Sequence, residues 1–178
     1  MKFKCSRYRE HFFIWLHEGA FMEIQIKKIS DFSEPLFQAA FHTYFNELEI
    51  AVTDWEGLWE EMNSGENTAY LALENDRAIG FLQFTEIELS NWFFTQKLGF
   101  IREFWVDESY RGKGIGTQLL ELTEKYFLEN GLSQAILTTE SANEFYTERG
   151  YVKTGAIKAA NQQSVYVKEL AESGVAGR

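Results

Sequence analysis

Along the chain the apolar positions switch between two spacings, and the switches predict the elements. Glu23-Ile24-Gln25-Ile26-Lys27 alternates like an opening strand over 23–28. Leu36, Phe37, Ala40, Phe41, Tyr44, Phe45 and Leu48 then recur at three- and four-residue steps. They predict a helix starting near Phe32, capped by Ser30 or Asp31, with Pro35 in its first turn. Trp55, Leu58, Trp59 and Met62 mark a second, shorter helix. Ala69, Leu71 and Leu73 alternate with Tyr70 and Ala72 as a strand, Asn75-Asp76 is a turn signal, and 78–87 is the partner strand. A third long strand covers 98–106, after an aromatic connection over 91–95. Ile115, Leu119, Leu122 and Tyr126 set a helix over 115–129 that Asn130-Gly131 stops. A strand at 135–138, a short helix over 142–149 ended by Gly150, and strands at 151–153 and 164–168 follow. The order is α+β, β-α-α-β-β-β-α-β-α-β-β, without internal repeats.

Composition narrows the function classes. The 178 residues are 45% hydrophobic and 16% aromatic, enough to bury a core, and hold a single Pro. The net charge of −10 repels phosphate backbones, so general nucleic-acid binding is not expected. The lone Cys5 excludes an internal disulfide framework and any Cys-built zinc site, and His11, His17 and His42 have no ligand spacing, so no metal is expected. Apolar runs such as 12–16 are far short of the ~20 residues a spanning helix needs, which predicts a soluble, cytoplasmic protein not held in a membrane. Residues 1–21 differ from the rest: they carry +2, against −12 for 22–178. Their apolar stretch is below the ~7–15 residues of a signal peptide, and no small-residue cleavage site follows. An appended segment is expected there, as a capping helix or a product of start choice, with Met22 as the alternative start. Residues 22–170 then form the domain, and 171–178 a tail that frays.

The chemistry concentrates in Phe104-Trp105-Val106-Asp107-Glu108-Ser109-Tyr110-Arg111-Gly112-Lys113-Gly114-Ile115-Gly116-Thr117. A strand passes through a turn with three alternate glycines directly into an amphipathic helix. A helix's first turn has unpaired N–H groups and about +0.5 of a charge from its dipole. Glycines remove the Cβ atoms that would hold an anion's oxygens away, and Arg111 and Lys113 add positive charge. The combination predicts a pyrophosphate cradle. A P-loop needs a different spacing. The dinucleotide fingerprint needs Gly-x-Gly-x-x-Gly and an acidic residue ending the next strand, whereas Thr117 and Thr138-Thr139 stand at those places.

Arg111-Gly112-Lys113-Gly114-Ile115-Gly116 resembles the acyl-CoA pyrophosphate motif of the GCN5-related N-acetyltransferase family, Gln/Arg-x-x-Gly-x-Gly/Ala. Glu103-Phe104-Trp105-Val106-Asp107 resembles that family's fourth strand. Ala142-Asn143-Glu144-Phe145-Tyr146-Thr147-Glu148-Arg149-Gly150-Tyr151 resembles its Ala-x-x-Phe-Tyr-x-x-x-Gly-Phe/Tyr segment. The likeness covers about residues 22–170. It departs at Thr139, where many members have Asn, with Asn143 as the residue that could stand in for it.

The resemblance implies a mixed, mostly antiparallel sheet flanked by helices and splayed between its fourth and fifth strands. It implies acetyl-CoA as cosubstrate, its pantetheine along Phe104, Trp105 and Val106 and its pyrophosphate on Gly112 to Thr117, with Thr139, Asn143 and Tyr146 as further contacts. An alkylamine with a pKa near ~10.4 is almost wholly protonated at pH 7, so a base must take a proton before it can attack a thioester. Glu103 is the candidate, and its alternative is a structural carboxylate paired with Arg102 or Arg149. The Val106 N–H would stabilise the oxyanion, and Tyr146 would protonate the departing thiolate, unless it merely satisfies a core hydrogen bond. A non-catalytic acyl-CoA-binding module on the same fold is the rival reading.

Between Ile29 and Asp76 stand eleven acids and no Lys or Arg. In the family, the two helices of this stretch border the acceptor groove, which points to a cationic amine: a polyamine, an aminoglycoside or a basic peptide. A solvated face that keeps the protein soluble is the plainer alternative. Trp55 and Trp59 are expected in the core. Asn91-Trp92-Phe93-Phe94 needs a cover for its aromatics, either the acceptor site or a second copy of the chain in a homodimer.

Overall fold

The computed structural model describes residues 9–15, 21–90, 92 and 95–171, with side chains from Glu23 onward. Strand β1 (Arg9–Trp15) pairs antiparallel with β2 (Phe21–Ile29), Arg9 opposite Lys27 and Trp15 opposite Phe21. A strand therefore stands where a capping helix was one of two expectations for the appended segment. The physical reason is local: the run of aromatic and β-branched residues at 12–15 suits a pleated strand better than a helix. Helices α1 (Pro35–Glu47) and α2 (Trp55–Ser64) follow, then strands β3 (Asn67–Glu74), β4 (Arg77–Ser90) and β5 (Thr95–Val106). After a 3₁₀ turn at Glu108–Tyr110 come α3 (Ile115–Glu129), β6 (Gln134–Thr139), α4 (Asn143–Thr147), β7 (Val152–Thr154) and β8 (Ser164–Glu169).

Helix α1 starts three residues later than its apolar spacing predicts, because Asp31 folds its carboxylate back onto the Ser33 N–H at 2.9 Å and Pro35 takes the first helical position. Asp54 caps α2 by accepting from the Gly57 N–H at 2.9 Å. Asn75 and Asp76 both take left-handed φ, 48° and 60°, which is the backbone a two-residue hairpin turn demands between β3 and β4.

The strands lie in one sheet in the order β1-β2-β3-β4-β5-β6-β8-β7. Counted from β2, β5 and β6 are the fourth and fifth strands, and they are parallel. Their pairing runs only from Gly99↔Ala135 to Ile101↔Leu137, whereas β5 continues to Val106 and β6 to Thr139. This is the early parting of the two strands that the resemblance implied. Among the described residues no helix is long and apolar enough to cross a membrane.

The chain forms two compact units. One holds the described residues up to Gln83 together with Glu103–Leu120. Its core joins Phe32, Phe37, Phe41, Met62, Leu71, Phe81 and Trp105, with Trp55 and Trp59 packed at the margin. Phe37, Phe41 and Phe81 lie within 5.2–5.4 Å of one another, ring centre to ring centre, and each such pair contributes about 0.5–1.5 kcal/mol beyond its buried area. The other unit holds Phe84–Arg102 and the residues from Glu121 on. There Leu98, Ile136 and Val165 form a core cluster, and Phe127 is fully buried with its ring against Phe84.

Candidate functional site

In the first unit the site grows from the β4–β5 hairpin. The Asp107 N–H donates to the Ile79 carbonyl at 3.0 Å. Counting back by twos in an antiparallel pair sets Phe81 opposite Trp105, and their ring centres are indeed 5.9 Å apart. Gly80 permits the approach: a Cβ there would meet the Trp105 carbonyl oxygen at 3.0 Å. With 105 and 107 bonded toward β4, Phe104 and Val106 turn their backbone groups to the opposite edge. That stretch lies beyond the last β5–β6 pair.

Two residues of α1 reach this end of β5. The Tyr44 hydroxyl donates to Glu103 Oε2 at 2.7 Å. Glu47 Oε2 accepts from the Trp105 indole Nε1–H and from an Arg111 Nη2–H, both at 3.0 Å. Arg111 also donates through Nε to the Val106 carbonyl at 2.9 Å. Glu47 therefore links the strand end to the glycine turn. Neither Tyr44 nor Glu47 stands out by sequence pattern, because Tyr44 fits an apolar stripe and Glu47 is one of eleven acids. One signal was present: a Glu in the last turn of a helix opposes the dipole there, and no basic residue in that turn offsets it.

The turn itself has a backbone that favours glycine. Gly112 and Gly114 take φ of 75° and 84°, a left-handed conformation that favours glycine, and a Cβ built on either meets nothing within 4 Å. The Gly114 carbonyl accepts from the Gln118 N–H at 3.1 Å, which opens α3 and leaves Ile115, Gly116 and Thr117 in its first turn. Lys113 lies over the Tyr110 ring with its ammonium 4.8 Å from the centroid. Tyr110 donates to Glu74, and that bond, with burial second, raises the phenol's pKa. Asp107 anchors the turn's approach: its carboxylate accepts from the Ser109 hydroxyl at 2.6 Å and pairs with Arg77 at 2.7 Å. The Ser109 bond, ahead of Arg77, holds its pKa below the usual carboxylate range.

The second unit carries Thr139, Asn143 and Tyr146. The Thr139 hydroxyl oxygen accepts from the Ala142 N–H at 3.2 Å and shapes the entry to α4. Asn143 accepts from the Tyr166 hydroxyl at 2.8 Å and donates to the Glu140 carbonyl at 3.2 Å, so its amide is used within the unit at both ends. Tyr146 is buried, with its ring centre 5.5 Å from that of Tyr151. Burial first, then the Glu124 carboxylate, drives the Tyr151 pKa far upward and keeps that phenol neutral. Arg149 holds the Phe145 carbonyl at 2.6 Å and stacks its guanidinium on the Phe145 ring. Of the aromatic connection, Asn91, Phe93 and Phe94 lie outside the described residues, while Trp92 is almost wholly exposed.

The fold is matched by known structures. An aminoglycoside 6'-N-acetyltransferase complexed with coenzyme A aligns with a TM-score of 0.63 at 19% identity, over 84% of this chain and 98% of that one. The PaiA N-acetyltransferase of Thermoplasma acidophilum in complex with coenzyme A aligns with a TM-score of 0.58 at 18% identity, over 83% and 99%. NAA60 of Arabidopsis thaliana in complex with a bisubstrate analogue gives 0.60 at 16%, also over 83% and 99%. No curated protein matches the chain by sequence. The family model for the acetyltransferase (GNAT) family matches residues 26–151. The glycine turn and the parted strands thus sit inside the matched region, and the chain belongs to the acetyltransferase (GNAT) family.

Proposed function

We propose that this protein transfers an acetyl group from acetyl-CoA to an amine of a cationic acceptor, by direct attack in a ternary complex. The observation that carries the reading is the turn at Gly112 and Gly114, both left-handed and open above the Cα, leading into the first turn of α3. Its N–H groups from Gly112 to Thr117 suit a diphosphate, and a side chain at either glycine would stand where the oxygens must come. The relatives solved with coenzyme A support the cosubstrate. The backbone groups of Phe104 and Val106, turned from β4, offer the pantetheine amides the pairing a neighbouring strand would give.

In this reading Glu103, held by Tyr44, takes a proton from the acceptor ammonium directly or through a water. The amine nitrogen bonds to the thioester carbonyl carbon while the Val106 N–H holds the oxyanion. The nitrogen then loses its second proton to solvent, the oxyanion collapses with cleavage of the C–S bond, and Tyr146 gives its proton to the thiolate and is reprotonated from solvent. The acid-rich stretch 30–76 supports a cationic acceptor, since it contributes α1, α2 and Glu47 without one Lys or Arg.

The test is a panel of polyamines, aminoglycosides and basic peptides with acetyl-CoA, read as free thiol released. Release that depends on an amine, and that falls about 10²-fold or more in Tyr146→Phe, is the expected result. Coenzyme A binding without turnover across the panel would make the protein a binding module instead.

A further inference from the structure

Strand β4 buries one amide in an apolar stretch. Gln83 lies between Leu82 and Phe84 and has no exposed surface. Neither its Nε2 nor its Oε1 has a hydrogen-bond partner among the described residues. A primary amide has two donors and two acceptor sites, and leaving them unmatched in an apolar interior is costly. Native folds keep few such groups, and a retained one calls for a reason beyond packing.

Its place supplies the reason. Extending the β4–β5 register from Ile79↔Asp107 and Phe81↔Trp105 by one more step sets Gln83 opposite Glu103. Directly opposed residues of an antiparallel pair share a face, with Cβ atoms about 4.5–5.5 Å apart. The Tyr44 ring packs on Phe81, the residue two before Gln83, at 5.6 Å, and its hydroxyl holds Glu103 Oε2. One face of the hairpin thus presents Phe81 and Gln83 on one strand and Trp105 and Glu103 on the other, beneath Tyr44.

We propose that Gln83 is a positioning residue for acyl transfer. When the acceptor amine engages Glu103, the Gln83 side-chain N–H donates to the Glu103 carboxylate. With Tyr44 it fixes the orientation in which that carboxylate receives the amine proton. The unmatched amide of the ligand-free fold is the cost of holding this donor ready. The inference rests on the acetyl-transfer reading above and adds to it a residue that acts through Glu103.

Gln83→Met tests it, because it removes donor and acceptor while keeping length and volume. The expected melting temperature is equal to or above that of the unsubstituted protein, since an unmatched polar group is gone. Calorimetry should give a coenzyme A Kd within about twofold of the unsubstituted protein, because Gln83 is not on the 111–117 turn. With the best amine of the panel, kcat should fall about tenfold while KM for acetyl-CoA holds, the mark of a bond made only in turnover. An unchanged kcat overturns the inference. So does a clear fall in melting temperature, which would show the amide already satisfied in the fold. A protein that binds no coenzyme A, or turns over no amine, overturns the acetyl-transfer reading and this inference with it. Intact binding with a fully active Gln83→Met overturns this inference alone.

Discussion

Replacing Gly114 with Ala isolates the backbone conformation of the turn from every other effect. The added Cβ meets nothing within 4 Å, so crowding contributes nothing in the free protein. What remains is the cost of a left-handed backbone at φ 84° for a residue with a Cβ, about 1–2 kcal/mol. For a domain of this length each kcal/mol moves the melting temperature by about 2–4 °C, so a fall of about 2–8 °C is expected. A turn that relieves the strain by relaxing loses the N–H orientation on which the diphosphate depends. One that keeps it places a methyl in the space the oxygens need. Either way the coenzyme A Kd should rise by about tenfold or more, equivalent to ~1.4 kcal/mol. Isothermal titration calorimetry and thermal melts on the same samples read both quantities. Gly155→Ala is the control, because it too has open space but no left-handed φ, and both readouts should stay put. A Gly114→Ala protein that melts lower yet binds coenzyme A as before would refute the cradle.

Three further outcomes follow from other parts of the molecule. A Cβ at Gly99 would lie 2.3–2.4 Å from the fully buried Phe127 ring, so Gly99→Ala should cost about 1–3 kcal/mol in urea unfolding through overpacking. Glu47→Gln removes the charge that competes with a diphosphate for Arg111. Because that pair is half-exposed, coenzyme A should bind up to about fivefold tighter at low salt, with the gain fading at high salt in calorimetry. Asp107 has a depressed folded pKa, so its stabilisation is present above its unfolded pKa of about 3.9 and is lost as pH falls through the folded value. Asp107→Asn should therefore lower the melting temperature by about 2–4 °C at pH 7, with the gap closing as pH falls below about 4.

Much of the fold was readable because local chemistry and global packing agree. The 115–129 helix falls on the residues its apolar spacing and the Asn130-Gly131 stop indicate, with Gly131 left-handed at φ 78°. The hairpin at Asn75-Asp76 is equally local. The glycine turn was legible for the same reason: alternate glycines mark it in the sequence, and Gly112 and Gly114 take the left-handed φ that favours glycine. The start of α1 was misplaced because an Asx turn and a proline decide it, not the apolar stripe. Tyr44, Glu47 and Gln83 were not legible as site residues. Tyr44 and Glu47 acquire their meaning from hydrogen-bond partners on β5, 59 and 58 residues away, and Gln83 from the strand register that sets it opposite Glu103.

Tyr44 and Glu47 stand one turn apart on α1, while Glu103 and Trp105 stand two residues apart on β5, and a single hydrogen bond joins each matched couple. A helix is stiff over one turn, so these bonds work as two dowels that fix α1 in translation and in rotation against the strand. An acceptor that pushes on α1 cannot slide it without dragging the Glu103 oxygen along. If the proposed acetyl transfer runs through Glu103, discrimination among amines would be read out as carboxylate displacement, even for groups that never touch the reacting nitrogen. Pulling one dowel, as in Tyr44→Phe, leaves the helix free to pivot on the other, and on the proposed function the panel of amines turned over should widen before the melting temperature falls.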